Sequence, residues 1–468
     1  MPNTTLSLFA DDSADALRAQ AIDELHAATA IYTSEPAVDQ LLARINWPDG
    51  DASIAYCSAG DGQFLVRALS KLLSTRHVDD EMLPTLIQGW EIHPAAAAQA
   101  RARLAAVLIS FGRSGVQAQE VANRIVLNKD FLTEGPTEAT YSAIIGNPPY
   151  LRMVSIPALL REEYSLVVPK YALPDLMFSF LDRCAKVLRP GGQMGLIVSD
   201  RWMSNSGAAA LREALGSRLS IEYMERVDPT SVFHRSKQRR AGTPARVHPV
   251  LVIFGATGQA ITKAAIYPGI DPAKYAAYPT LDSIARIRIA PWLDAPGIWT
   301  ISEDQVRASG IPHQFLVPAV DTDDVRDREL GAPRRFAIRT MPKETPCDAI
   351  VEHLRSQMHR MSKRGLRILQ AGKWAPPERF HNFDLSQPSL LVPRIAKTPK
   401  AVRLPIGTLP LNHNLSIVSS GPEGLKLVER ALQSDVAAEW MRDHAPRLED
   451  GYYSLCTTLL RKMPVHFG

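Results

Sequence analysis

The stretch YSAIIGNPPYLRM, Tyr141 to Met153, decides how the chain is read. An apolar segment runs directly into two prolines. Pro148 and Pro149 lack backbone donors and fix φ, so neither continues a central strand, and Asn147 is held extended by the proline after it. A buried strand therefore ends near Gly146 in a rigid turn. Open α/β sheets bind ligands outside the carboxyl ends of their strands, so an Asn-Pro-Pro-Tyr turn at such an end marks a candidate site.

The segments upstream place that strand in a sheet. ASIAYCSAGDGQFLVRALSKLL (52–73) reads as a strand, a glycine loop and a helix. LIQGWEIHPAAAAQARARLAAVL (86–108) repeats the unit, with a strand ending near Glu91 and a helix beginning at Pro94, which suits an early helical position. NRIVLNKDFL (123–132) is a third short strand, ending near Asp130. Before them, a helical pattern covers 13–29, and AIYTSEPAVDQLLARI (30–45) carries a helix capped by Ser34 or Thr33, with Val38, Leu41, Leu42 and Ile45 on one face. Downstream, DLMFSFLDRCAKVLRPGG (175–192) is a helix closed by Pro190 and Gly191, and QMGLIVSDRWMSN (193–205) is the next strand. IEYMERV (221–227) and VLVIFGA (250–256), joined by the basic connection HRSKQRRAGTPARVHP (234–249), look like an antiparallel finish. Strands alternating with helices predict an α/β fold with a doubly wound, mostly parallel sheet.

A chain of 468 residues predicts two or three domains. Periodicity weakens and prolines recur around 255–320, where the boundary is expected. With 46% hydrophobic and 22% charged residues the composition is that of a soluble globular protein. Cys57, Cys184, Cys347 and Cys456 are far apart and lack CxxC spacing, which argues against a disulfide framework or a zinc site and fits a reducing cytoplasm. The start has no basic region followed by an apolar core, and no segment reads as a membrane span. The net charge of +4 decides nothing, but residues 331–410 hold fifteen Lys and Arg against five Asp and Glu. Such a patch is the footprint of a polyanion partner, or simply a solvated basic face.

In SAGDGQF (58–64), Ser58, Ala59, Gly60 and Gly62 sit between strand and helix, where glycine permits a tight turn and a close approach to ligand. A lone GxG also marks a plain βα turn. The loop has neither the Lys-Ser/Thr end of a phosphate-binding loop nor a third glycine at dinucleotide spacing. Glu91, at the end of the second strand beside Ile92, can accept from both hydroxyls of a ribose, which implies an adenosine-containing ligand; it also fits a helix N-terminal acid. Asp130 can accept from an adenine amino group and Phe131 can cover the ring, or the pair is a loop acid beside a core aromatic.

Order and motifs together resemble the S-adenosylmethionine-dependent, amino-methylating DNA methyltransferases, specifically the N6-adenine enzymes of the TaqI and Eco57I type, over residues 29–255. The resemblance implies a Rossmann-like class I methyltransferase domain (29–300) with a seven-stranded sheet, after an N-terminal tail or helix (1–28), and a mixed α+β target-recognition domain (301–468). It implies S-adenosylmethionine as methyl donor, without a metal, held by Tyr32, Thr33, Ser58, Ala59, Gly60, Gly62, Glu91, Ile92, Asp130, Phe131 and Asn147. Asn147, Pro148, Pro149 and Tyr150 become the catalytic turn. Tyr150 and Phe233, in SVFHRSK (231–237), become the walls around the target base. The implied partners are double-stranded DNA and a cognate restriction endonuclease, with no membrane and a cytoplasmic, nucleoid-associated location. One departure is plain: Tyr56-Cys57 stands where the family has Asp or Glu followed by Pro, and the acid normally helps to hold the cofactor's ammonium end. Two other readings stay open at this point. One moves the amino chemistry to a protein glutamine or an RNA base. The other is a DNA-recognition subunit with a degraded cofactor site.

Overall fold

The computed structural model describes residues 7–235, 249–267, 273–326, 329–331, 334–341, 344–446 and 451–466. Most of the basic connection 234–249, and Lys343 of the basic stretch, lie outside the described residues. The chain forms two units, Met1–Gly269 and Ile270–Gly468. The strand Ala285–Ile289, on the N-terminal side of the expected boundary at 300, is already paired with Leu415–Ser419 of the second unit.

The first unit is built on one large sheet. Its strands are β1 (Ile54–Tyr56), β2 (Ile87–Trp90), β3 (Val126–Leu127), β4 (Tyr141–Gly146), β5 (Leu188–Ser199), β6 (Ser220–Arg226), β7 (Pro249–Gly255) and β8 (Gln259–Ala260). Their order across the sheet is β8-β6-β7-β5-β4-β1-β2-β3. From β3 to β5 all neighbours are parallel. β7 runs antiparallel between β5 and β6. The order reverses between β1 and β4. Right-handed crossovers then put the helices of the two halves on opposite faces. Accordingly Gln63–Thr75 packs with Pro94–Ser110, whereas Leu176–Val187 packs with Ala209–Gly216. The central strands are nearly continuous apolar runs, as parallel strands covered on both faces must be.

Three local expectations need correction. Among the described residues the sheet has eight strands, not seven; β8 is two exposed residues on the edge beside Ser220–Ile221, too short to show a pattern in the sequence. The helix Leu176–Val187 ends before Pro190: buried Leu188 already pairs with Tyr141, and Pro190 and Gly191 lie in the irregular start of β5. Ser34 sits at the N-cap of Glu35–Leu42, but neither it nor Thr33 caps the helix through its side chain. Both hydroxyls are taken by tertiary partners, Ser34 Oγ donating to the Ser231 carbonyl at 2.8 Å and Thr33 Oγ1 accepting from Asn147. The apolar face of Val38, Leu41, Leu42 and Ile45 is buried, as read.

The second unit carries two four-stranded sheets, one fully antiparallel and one with a single parallel pair. Helices Gly421–Gln433 and Asp435–His444 cover the first through Leu425, Val428, Leu432 and Met441. The helix Lys363–Gln370 is capped by Ser362, whose backbone and hydroxyl both donate to buried Asp294. It buries Gly365 and Leu369 and leaves Lys363, Arg364 and Arg367 exposed.

Candidate active site

The reversal of strand order brings the end of β1 beside the end of β4, where an α/β sheet opens a crevice. Gly146 is needed there. Its φ is +154°, and a Cβ would come within 2.7 Å of the Tyr56 ring. Tyr56 therefore packs directly beneath the proline turn. Ser58 Oγ donates to the Asn147 carbonyl at 3.2 Å, tying the glycine loop to the same turn.

Asn147 is 8% exposed and fully engaged. Its Nδ2 donates to the Ile31 carbonyl at 3.3 Å and to Thr33 Oγ1 at 3.2 Å. A backbone carbonyl can only accept, so the NH₂ end must face Ile31 and the Oδ1 end the other way. At Oδ1 the Tyr150 hydroxyl approaches as donor; the same hydroxyl lies 2.7 Å from the Ile197 carbonyl. Burial drives the Tyr150 phenol pKa well up, so it is a neutral donor. Tyr150 and Phe233 meet edge on, with ring centroids 6.3 Å apart and planes at 65°.

The glycine loop and the second strand share one carboxylate. Glu91 accepts from Gly60 N at 2.7 Å through one oxygen and from His93 N at 2.9 Å through the other. Each oxygen keeps a lone pair for a further donor. Burial pushes Glu91 up to about 7, against the pull of the two amides, and the charge of Asp130 adds to the rise. Asn128 Nδ2 donates to the Glu91 and Ile92 carbonyls at 2.8 and 3.0 Å and so fixes the strand end. Gly62 has φ +83°, and a Cβ there would lie 2.9 Å from Ala100, so the loop closes against the next helix. Ala59 N donates to the Trp90 carbonyl at 2.7 Å, and Tyr32 Cε1 lies 3.4 Å from where a Cβ on Gly60 would be.

Asp130 caps a short helix, with Oδ1 accepting from Leu132 N at 2.8 Å. Its Oδ2 is buried without a hydrogen bond of normal geometry among the described residues, although the Tyr164 hydroxyl is close enough to act on its charge. Phe131, 2% exposed, lies between Trp90 and Phe180 at 5.9 Å from each ring. These groups line one cleft, together with Tyr32, Ser58, Gly60, Ile92 and Asn147 to Tyr150. Thr33, Ala59, Gly62 and Phe233 are not among the residues that line it.

The helix Ser7–Thr29 supplies a wall that the sequence does not announce. Leu25, His26 and Thr29 line the cleft, and His26 stacks on His93 with centroids 3.9 Å apart. Arg18 pairs with Glu163 through two nitrogens, at 3.1 and 3.3 Å, and His93 Nε2 lies 3.1 Å from Asp23. The helix pattern is legible in the sequence, but nothing local shows what the helix covers.

A doubly wound sheet with a glycine loop, an acid after the second strand and Asn-Pro-Pro-Tyr at the reversal of strand order is the architecture of a DNA-modifying methyltransferase. Residues 90–233 match the family described as Eco57I restriction-modification methylase. Two relatives match nearly the whole chain. Type II methyltransferase M.PaeR7I of Pseudomonas aeruginosa is 25% identical over 94% of this chain and 86% of its own length. Type II methyltransferase M.XhoI of Xanthomonas vasicola is 22% identical over 93% and 90%. Among solved structures, the Type IIL restriction-modification enzyme MmeI in complex with DNA shares the fold with a TM-score of 0.58 at 15% identity. That alignment takes in 92% of this chain but 64% of MmeI, so the chain spans under two thirds of that enzyme's length.

Proposed function

We propose that the chain transfers a methyl group from S-adenosylmethionine to N6 of an adenine flipped out of duplex DNA. The observation that carries the reading is the Asn147 amide, whose carbonyl end is turned away from Ile31 and receives a donor in a water-poor wall of the cleft. The Tyr150 hydroxyl stands where an amino hydrogen of the target base would lie.

The residues present fit the methyl donor. Glu91 has lone pairs for two ribose hydroxyls, Asp130 Oδ2 is a buried acceptor beside the Tyr164 hydroxyl with lone-pair capacity for the adenine amino group, and Ile92 and Phe131 offer apolar walls. Tyr32 and the 58–62 loop border the methionine end. When bound, S-adenosylmethionine supplies an electrophilic methyl group. The chain's own part is to make the target nitrogen nucleophilic. Its lone pair is delocalised into the ring until both amino hydrogens are accepted, one by Asn147 Oδ1 and one by the Pro148 carbonyl. The nitrogen then moves toward sp³, and the two acceptors favour the transition state in which positive charge develops there. Pro149 keeps the turn stiff.

Flipping an adenine costs roughly a few kcal/mol, which Tyr150 stacking offsets in part. For this the tyrosine turns away from Asn147 and presents its face, with Phe233 as the second wall. Exposed Lys363, Arg364 and Arg367 of the second unit are the proposed phosphate contacts. The match to Type II methyltransferases over nearly their full length supports a modification enzyme acting beside a separate endonuclease.

The test is transfer of labelled methyl groups to duplex DNA, with the modified adenines mapped. Asn147→Ala is expected to lower transfer by about 10²–10³ or more, the usual effect of deleting one such group, with DNA affinity nearly unchanged. Methylation persisting in that variant overturns the mechanism.

A further inference from the structure

Thr33 lies in the short strand Ile31–Thr33, which pairs antiparallel with Phe233–Arg235 so that Thr33 stands opposite Phe233. It is 5% exposed, and the cleft is bordered by Ile31 and Tyr32 but not by Thr33. Its Oγ1 accepts from Asn147 Nδ2 at 3.2 Å, inside the protein, while the Ile31 carbonyl takes the same NH₂ group at 3.3 Å. The two acceptors come from one strand and bracket the nitrogen end of the amide. The Ser34 amide in turn is held by the Val232 carbonyl at 2.7 Å, so the strand cannot shift without moving Phe233.

We infer that Thr33 is a positioning residue for the Asn147 amide, and not a contact of the cofactor. An asparagine amide turned over by 180° exchanges its oxygen for nitrogen with little change of shape, and a nitrogen at the Oδ1 position would oppose the target amino group donor to donor. The Ile31 carbonyl makes that turn unfavourable, since it would be left facing an oxygen, and the Thr33 hydroxyl steadies the observed orientation by accepting the second amide hydrogen. The Ile31 bond alone is long. The Ile31 carbonyl sets which end of Asn147 meets the base, and Thr33, on a strand paired with Phe233, holds the amide in that orientation.

The inference rests on the proposed adenine chemistry, and the experiment separates the two. Thr33→Val keeps the shape and removes the acceptor; Thr33→Ser keeps the acceptor. In methyl transfer to duplex DNA, Thr33→Val is expected to lower kcat about tenfold, as loosened positioning of a reacting group does. The KM for S-adenosylmethionine, its Kd by calorimetry and the DNA affinity should stay within about twofold, and Thr33→Ser should restore kcat. An unchanged kcat in the Val variant overturns the inference, as does a loss that appears in cofactor Kd rather than in kcat. A Ser variant as slow as Val also overturns it. If Thr33→Val does not fold, Thr33→Ala carries the same test. A wild-type protein that transfers no methyl group to adenine is a failure of the proposed function instead.

Discussion

Glu91 holds two structures at once, the glycine loop through Gly60 N and the entry to the next helix through His93 N, while its carboxylate is 7% exposed. That burial has a consequence for pH. The folded pKa near 7 lies above the ordinary glutamate value of 4.5, so the free protein binds more protons than the unfolded chain between the two. The stability tied to this group is fully present below 4.5 and is lost as pH rises through about 7. Cofactor binding should run the other way, because ribose hydroxyls favour the carboxylate. Calorimetric Kd for S-adenosylmethionine is expected to weaken by up to about tenfold per unit as pH falls below 7, and Glu91→Gln should flatten the profile. The glutamine also sets an NH₂ against one of the two backbone amides, so that variant should melt earlier. At this scale the candidate residues were legible: Asn147, Glu91 and Asp130 were singled out by residue type and by their place after a strand, and the structure brings all three to one cleft. The internal partners of Asn147 were not, because Ile31 and Thr33 lie more than a hundred positions away in the chain.

At the scale of elements, the loop between β1 and its helix depends on a glycine with left-handed backbone. Gly62→Ala adds a Cβ 2.9 Å from the Ala100 backbone at a φ of +83°. Strain of this kind costs about 1–3 kcal/mol, which for a unit of this size lowers Tm by roughly 2–10 °C in a calorimetric scan. A Tm unchanged in that variant would mean that the loop and the helix Pro94–Ser110 are not packed as described. The sequence shows this loop clearly because strand, glycines and helix follow one another within a dozen residues. It does not show that the helix Ser7–Thr29 walls the same cleft, since that depends on His26 meeting His93 and Arg18 meeting Glu163. Element ends were the other weak point. Pro190-Gly191 looked like a helix stop, yet the chain had already joined the sheet at Leu188, where burial of an apolar side chain outweighs local turn preference.

At the scale of the whole molecule, charge is spread unevenly along the chain. The net charge is only +4, but the second unit carries the excess of Lys and Arg over 331–410. On the helix Lys363–Gln370 the cations share the face opposite Gly365 and Leu369, so replacing them leaves the packing alone. Alanine at Lys363, Arg364 and Arg367 together is expected to reduce the slope of log K against log salt by about 2–3 and to weaken duplex binding, with Tm unchanged. A salt slope equal to wild type would remove this helix from the DNA interface.

The sequence by itself determined the doubly wound sheet, because parallel strands buried on both faces must be apolar and the helices between them periodic. It also marked the Asn-Pro-Pro-Tyr turn after a buried strand as a candidate site, because two prolines leave the backbone few conformations there. Only the tertiary structure decided which end of the Asn147 amide faces the cleft, what walls that cleft, and that the Tyr150 hydroxyl rests against Asn147 Oδ1. Those facts depend on contacts between residues far apart in the chain, and local patterning carries no record of them.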